Sequence, residues 1–294
     1  MGVDMRDLSP ELLELIRLTS TELPPDVEAA LHDARAREQP GSAALGALDS
    51  ILENIGLARQ KSSPICQDTG TPLFFVRHPG DWSTRALRDQ IRGAVAEATK
   101  KSYLRPNAVD SISGKNSGNN LGDGAFPTIH FEEIEGDELT VELILKGGGC
   151  ENVGAQYSLP DGWLGAGRDL EGVRRVVLDA VHQAQGQGCA PGVLGVAIGG
   201  DRGSSFAASK EVLLRPMNEP NPDRQLAALE TRLLEEGNRL GIGPMGFGGN
   251  TTLLGVKATS LHRLPASYFV SVSYMCWAYR RRRMIVHGED VRYP

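Results

Sequence analysis

The sequence predicts a mixed α/β fold in which an N-terminal helical region is followed by a mixed sheet with packed helices and glycine-rich site loops. Three observations predict it. Apolar residues in the first sixty positions recur at helical spacing, later β-branched runs alternate with helical segments, and the 35 glycines cluster between these elements. We expect the 294 residues to form one domain over 1–294, with 1–60 as a helical subregion.

Helices are predicted throughout the first sixty residues. Ser9 and Pro10 are typical of an N-cap and a first turn. A proline pair then interrupts the pattern, and a second helix is predicted from Val27 to Arg37. The third, from Ala43 to Gln60, has an apolar face. This region is expected to be scaffold.

The next segment alternates strand and helix signals. A strand at Leu73 to Val76 precedes a helix from Ser83 to Lys101, and the polar residues 105–126 predict a long loop. Strand candidates at Thr128 to Phe131 and Leu139 to Leu145, separated by a glycine turn, predict a β-hairpin.

The last third predicts an α/β unit. A helix from Leu170 to Gln185 leads to the β-branched strand Val193 to Ile198. A helix ending near Leu240 and strands at Thr251 to Thr259 and Tyr268 to Tyr274 follow.

Charge and hydropathy argue against two classes of function. A formal net charge of −6 is unlike that of a general nucleic-acid binder, and the apolar runs are too short to span a membrane. With no export signal recognised, we expect a cytoplasmic protein. The basic run Arg280 to Arg283 is either a solvated helix end or a contact to an anionic substrate or acidic partner. The segment Gly199 to Gly203 lacks the spacing of either nucleotide-binding loop.

The four cysteines carry the strongest chemical signal. Cys66, Cys150, Cys189 and Cys276 sit at glycine- or proline-marked junctions or element ends, and no pair has short spacing. A single free cysteine is ordinarily a small buried hydrophobe. Four such positions favour collective ligation by thiolates, of zinc or of an iron-sulfur cluster, and the spacing alone does not decide between the two.

Five segments, in order along most of the chain, resemble successive motifs of the class I fumarase and L-tartrate dehydratase family, α region. They are Ile65 to Thr71, Lys146 to Gly149, Gly188 to Gly192, Gly243 to Gly249, and Ala266 to Arg282 with its Cys276-Trp-Ala.

The resemblance implies an aconitase-like [4Fe-4S] cluster held by Cys66, Cys189 and Cys276, with the fourth iron open to substrate as a Lewis acid. Relatives commonly have serine at the position of Cys150. We therefore expect Cys150 to pack beside the site and not to ligate.

The resemblance also implies substrate-binding residues. Gln67 and the candidate catalytic Asp68 adjoin the first ligand, although Asp68 would equally suit an Asx turn. Arg105 matches a family arginine that would clamp a carboxylate, and a surface ion pair is its alternative. Gly148 and Gly149 would offer backbone N–H groups to an oxyanion, or simply form a tight hairpin exit.

Family members carry a histidine close to His262, which makes it a candidate catalytic residue; the alternative is a packed or hydrogen-bonded side chain. The resemblance further implies a separate β subunit that carries the catalytic base, in a hetero-oligomer of αβ pairs. The expected reaction is reversible hydration of fumarate to (S)-malate, with L(+)-tartrate dehydration as one alternative and a non-catalytic metal-binding scaffold subunit as another.

Overall fold

A computed structural model describes residues 6–124 and 126–294. Its helices, in chain order, are α1 (Ser9–Thr21), α2 (Pro25–Arg37), α3 (Ala43–Lys61), α4 (Thr84–Lys100), α5 (Gly148–Asn152), α6 (Leu170–Ala184), α7 (Arg202–Glu211) and α8 (Arg224–Arg239). Its strands are β1 (Thr71–Pro79), β2 (Thr128–Ile134), β3 (Glu138–Lys146), β4 (Ala155–Ser158), β5 (Gly192–Ile198), β6 (Leu253–Ser260), β7 (Phe269–Met275), β8 (Arg281–His287) and β9 (Asp290–Arg292). The predicted mixed α/β class and the N-terminal helices are confirmed.

The chain divides into two compact units. The first comprises the described residues up to Pro24, then Asn54–Gly147 and Arg280–Pro294; the second comprises Pro25–Glu53 and Gly148–Tyr279. The prediction of one domain over 1–294 stays a prediction.

The first unit is built on a five-stranded sheet of order β2-β1-β3-β8-β9. Helix α1 packs against α4 and also contacts β3 and β8. Helix α4 begins where the Ser83 hydroxyl accepts a hydrogen bond from the Ala86 N–H at 3.3 Å. Its buried Leu87, Ile91 and Val95 recur at helical spacing and join the core of this unit.

The second unit contains a four-stranded sheet of order β4-β7-β5-β6. Every residue of β5 is buried, which agrees with its continuous apolar sequence, and it pairs parallel to β6 and antiparallel to β7. Helix α6 contacts α8 and β7, whereas α7 contacts β5 and β7. Because β5 and β7 are antiparallel, the amino end of β5 lies beside the carboxyl end of β7, with Val193 opposite Met275.

The predicted hairpin is wrong. Strands β2 and β3 are joined by the expected turn, but β1 lies between them, parallel to β2 and antiparallel to β3. Turn residues between two apolar runs indicate a change of direction. They do not show that the runs pair, because another strand can insert between them.

The interpretation of Arg280 to Arg283 as a solvated helix end is also wrong. The run enters strand β8, Arg280 is buried, and Arg283 pairs with Glu142 of β3 at 2.7 Å. Burial, followed by the charges of nearby arginines, holds the pKa of Arg282 below its usual range although Glu22 lies 3.8 Å away.

The glycine-rich segment Gly199 to Gly203 leads into α7. The Asp201 carboxylate accepts hydrogen bonds from the N–H groups of Gly203 and Ser204. The Ser204 hydroxyl in turn accepts the Asp201 N–H, which completes a capping box. Asp201 thus places a negative charge at the start of this helix. Among the described residues, no helix is long and apolar enough to cross a membrane.

Candidate functional site

The predicted ligand Cys66 lies in a turn of the first unit that is anchored at Ile65. The N–H of Ile65 donates to the Ser20 carbonyl at 3.0 Å, and its own carbonyl accepts the Asn54 side-chain amide at 2.8 Å. Ile65 is buried, Cys66 is half-buried and Gln67 is exposed. The turn therefore presents a partly accessible thiol followed by a polar side chain, on a fixed backbone.

Asp68 continues this turn. One carboxylate oxygen accepts the Gly70 N–H at 3.1 Å, which is the Asx turn considered from the sequence. Gly70 has a φ of +78°, and a Cβ there would lie 2.6 Å from the carbonyl carbon of Lys146. The turn thus lies directly on the carboxyl end of β3, where only glycine fits.

Arg105 is held through its backbone while its side chain is exposed. Its N–H donates to the Thr69 hydroxyl at 3.0 Å, and its carbonyl accepts the Asn120 side-chain amide at 2.6 Å. Within the described part of the chain its guanidinium forms no ion pair, so the surface ion-pair interpretation has no support there. The hydrogen bond to Thr69 brings Arg105 to the turn that carries Cys66.

Asn120 organises the predicted long loop, and it was not among the residues predicted from the sequence. Its side chain is fully buried; Oδ1 accepts the N–H groups of Asn107 and Ala108, and the amide donates to the Thr99 hydroxyl and the Arg105 carbonyl. Four hydrogen bonds saturate this amide. A segment rich in Asn and Gly is typical of loops, and the one buried asparagine among them is visible only in the fold.

Gly148 and Gly149 are exposed and begin the short helix α5, so the hairpin-exit interpretation is wrong. Cys150 lies inside the same helix and is buried, which corrects its expected place at the end of a turn. Because neither glycine has a side chain, the start of this helix can be approached closely; binding of an oxyanion there stays a prediction.

The second unit brings two of the predicted ligands together. Cys189 lies in the turn before β5 with a φ of +56°, a left-handed conformation that is uncommon outside glycine, and its N–H donates to the Gly186 carbonyl at 3.1 Å. Cys276 directly follows β7, and the N–H of Trp277 donates to the Cys189 carbonyl at 3.3 Å. This bond joins the two cysteine segments. Such strained residues cluster at functional sites.

Tyr274 fills the space behind these cysteines. A Cβ on Gly188 would lie 2.6 Å from its ring carbon Cε1, and a Cβ on Gly192 would overlap its hydroxyl end. Burial raises the pKa of Tyr274, and the negative charges that Cys276, Cys150 and Cys189 carry when ionised raise it further. All three cysteines of this unit therefore lie near one tyrosine.

The glycine-rich loop Gly243 to Gly249 supports the Cys189 turn. The Met245 N–H donates to the Ala190 carbonyl at 2.8 Å, and Gly186 lies so close to Gly246 that a Cβ would come within 2.8 Å of it. Buried Glu38 then accepts hydrogen bonds from the N–H groups of Asn250 and Thr251 at 2.9 to 3.0 Å. Sequence reasoning missed Glu38 because it lies more than 200 positions from the loop.

His262 lies on the loop between β6 and β7. Its side chain is exposed, and its carbonyl accepts the Gly200 N–H at 3.2 Å. The exposed position does not fit the packed alternative. Its catalytic role stays a prediction.

The cysteines suit a thiolate-bound group in their chemistry. None of the four forms a disulfide among the described residues. The segments of two predicted ligands are joined within one unit, whereas Cys66 belongs to the other unit. Among the described residues, no group of three or more His, Cys, Asp or Glu side chains is arranged to hold a metal ion. Thiolates are the ligands that iron-sulfur clusters require. The three-cysteine ligand set stays a prediction.

Comparison with known proteins identifies the family. The family model "Fumarate hydratase (Fumerase)" matches residues 10–285. A Geobacillus stearothermophilus protein that carries the name fumarate hydratase class I is 51% identical over 280 residues, 94% of this chain; the chain spans only 54% of that relative. The L(+)-tartrate dehydratase subunit alpha of Escherichia coli K12 is 33% identical over 276 residues, 92% of this chain and 88% of the relative.

These matches confirm the family predicted from the five ordered motifs, which is a family of hydro-lyases. The chain belongs to the fumarate hydratase (Fumerase) family.

Proposed function

We propose that this chain is the α subunit of a [4Fe-4S]-dependent hydro-lyase that reversibly hydrates fumarate to (S)-malate together with a separate β subunit. The observation that carries the proposal is the 51% identity to a protein named fumarate hydratase class I over 94% of this chain. Cysteines that form no disulfide, in three of the matched motifs, support it.

Cys66, Cys189 and Cys276 are the residues that would hold the cluster. When bound, the cluster supplies a Lewis acid at an iron without a protein ligand, which polarises the hydroxyl group of the substrate. Three thiolates leave that position open, and a fourth would close it. The burial of Cys150 inside α5 fits a packing role.

The other site residues bind and orient the substrate. Fumarate and malate are dianions, and the Arg105 guanidinium offers planar paired donors that match a carboxylate. Gln67 and Asp68 lie on the fixed turn next to Cys66. Gly148 and Gly149 are exposed residues of α5 whose lack of a side chain would let a substrate oxyanion approach the backbone closely. We assign Asp68 and His262 as catalytic residues, beside a base from the β subunit.

The proposal of a partner rests on the comparison with subunits. This chain covers 88% of an Escherichia coli protein whose name states that it is an alpha subunit. We therefore infer a β subunit and an assembly of αβ pairs. Cytoplasmic location belongs to the same proposal, because an oxidant-accessible iron persists best in a reducing compartment.

L(+)-tartrate dehydration is the second candidate, favoured by the 33% identity to the Escherichia coli tartrate dehydratase subunit alpha. The test is an anaerobic assay of the reconstituted αβ complex against fumarate, (S)-malate and L(+)-tartrate. We expect the highest kcat/KM with fumarate and malate. Turnover of tartrate alone would replace the first candidate by the second, and no turnover of any of the three would contradict both.

Arg105→Lys tests the proposed carboxylate contact. Lysine keeps the positive charge but loses the planar fork, so we expect a loss of about 1.5–3 kcal/mol of transition-state stabilisation, roughly ten- to a hundredfold in kcat/KM. The iron content should stay at the parent value. Steady-state kinetics and iron analysis on the same anaerobic sample give both quantities.

Arg85→Lys is the matched control, because Arg85 is exposed on α4 and has no place in the proposed site. It should leave kcat/KM unchanged. Parent kinetics in Arg105→Lys with full iron occupancy would remove Arg105 from the site.

A further inference from the structure

We propose that Arg280 is a positioning residue that fixes the turn Cys66 to Gly70 and, with it, the Asp68 carboxylate; its catalytic consequence rests on the proposed function. Arg280 is 1% exposed, and its Nη2 donates to the Asp68 carbonyl at 2.8 Å. It lies at the entry to β8, in the same compact unit as the turn.

Packing alone does not explain why an arginine occupies this buried position. A guanidinium stays charged at any physiological pH, and burying it is costly unless its donors are satisfied. Among the described residues, Nε and Nη1 of Arg280 have no hydrogen-bond partner. An aliphatic side chain would fill the space without that cost. The bond to Asp68 is thus what distinguishes arginine here from an apolar residue.

The backbone of Arg280 is itself fixed, so its side chain can hold the Asp68 carbonyl in place. Its carbonyl accepts the Leu145 N–H at 3.1 Å, so the residue is tied to the carboxyl end of β3. Gly70 lies against Lys146, the next residue of the same strand. Within the turn, the Asp68 carboxylate accepts the Gly70 N–H, and the Arg280 guanidinium adds a bond to the Asp68 carbonyl from outside the turn.

Hydrogen exchange tests whether Arg280 holds the turn, and the measurement needs no substrate. In Arg280→Met, we expect the amides of Cys66 to Gly70 to exchange at least tenfold faster than in the parent, whereas the amides of β3 stay protected. Arg283→Met is the matched control, because Arg283 lies three residues further along, in β8, and its exposed side chain pairs with Glu142 of β3 and not with the turn. It should leave exchange in the turn unchanged.

Two exchange results would overturn the proposal. Unchanged exchange in the turn would show that Arg280 does not hold it. Equally faster exchange in the turn, β3 and β8 would show a general contribution to stability and no positioning. If Arg280→Met does not fold, Arg280→Lys provides the same measurement, with an intermediate increase expected because lysine keeps one donor in reach.

Kinetics test the catalytic part. In the reconstituted complex, Arg280→Met should lower kcat ten- to a hundredfold with KM within threefold of the parent, and Arg280→Lys should recover part of the loss. Parent kcat together with faster exchange in the turn would reject the catalytic role alone. An inactive parent complex would instead refute the proposed function, while the exchange result would still decide whether Arg280 positions the turn.

Discussion

Replacing Cys66, Cys189 or Cys276 by serine is expected to abolish hydro-lyase activity and to strip the iron from the protein. A serine hydroxyl stays protonated at neutral pH and is a poor ligand for iron-sulfur clusters, which are held by thiolates. Loss of one of three ligands should reduce kcat by more than about a thousandfold, the scale on which loss of a whole catalytic group acts. Anaerobic purification, iron and sulfide analysis, and the visible spectrum measure the effect.

Cys150→Ser is the matched control for these variants. Cys150 is buried in α5, and the family resemblance implies that serine is tolerated at this position, so we expect the variant to retain both iron and activity. Equal loss of iron from Cys150→Ser would contradict the assignment of ligands. Retention of iron in any of the three ligand variants would remove that cysteine from the set.

Replacing Gly192 by alanine is expected to destabilise the second unit and to displace the Cys189 turn. The new methyl group would overlap the hydroxyl end of Tyr274, whose ring is buried and also lies against Gly188. Overpacking of this kind costs about 1–3 kcal/mol of unfolding free energy. Because the turn carries a predicted ligand, iron content should fall together with stability. Denaturant unfolding of the apoprotein and iron analysis after reconstitution measure the two effects.

Gly46→Ala is the control for Gly192→Ala. Gly46 lies in α3 of the same unit, with no atom near the position of a new Cβ. Alanine favours helix over glycine by about 1 kcal/mol, so this variant should be as stable as the parent or more stable. Parent stability and full iron in Gly192→Ala would show that Tyr274 can move, and that the turn does not depend on it.

Elements with strong local signals were predictable from the sequence. The helical spacing of α4 and the apolar run of β5 define both elements within a residue or two. The sheet order was not predictable, because the insertion of β1 between β2 and β3 depends on pairing between distant segments. Strand β8 was missed for a related reason: its arginines suggest a solvated surface, whereas the strand pairs with β3 and the preceding Arg280 is buried.

In the candidate site, too, some residues could be predicted from the sequence and others could not. The cysteine motifs and Arg105 could be selected from the sequence through their resemblance to a family. Asn120, Glu38 and Arg280 instead act through hydrogen bonds to backbone groups, which for Glu38 and Arg280 lie more than 200 positions away. Their residue types are common in loops and on surfaces. Only the fold shows that these three side chains are buried and what each one holds.

The metal bound by the anaerobically reconstituted protein tests the central claim most directly. We expect a brown protein with the iron and sulfide content of a [4Fe-4S] cluster, whose iron spectrum changes when fumarate or malate is added, because three thiolates leave one iron open to substrate. A colourless protein that binds zinc stoichiometrically, with a spectrum unaffected by either acid, would contradict the account and support a non-catalytic scaffold subunit.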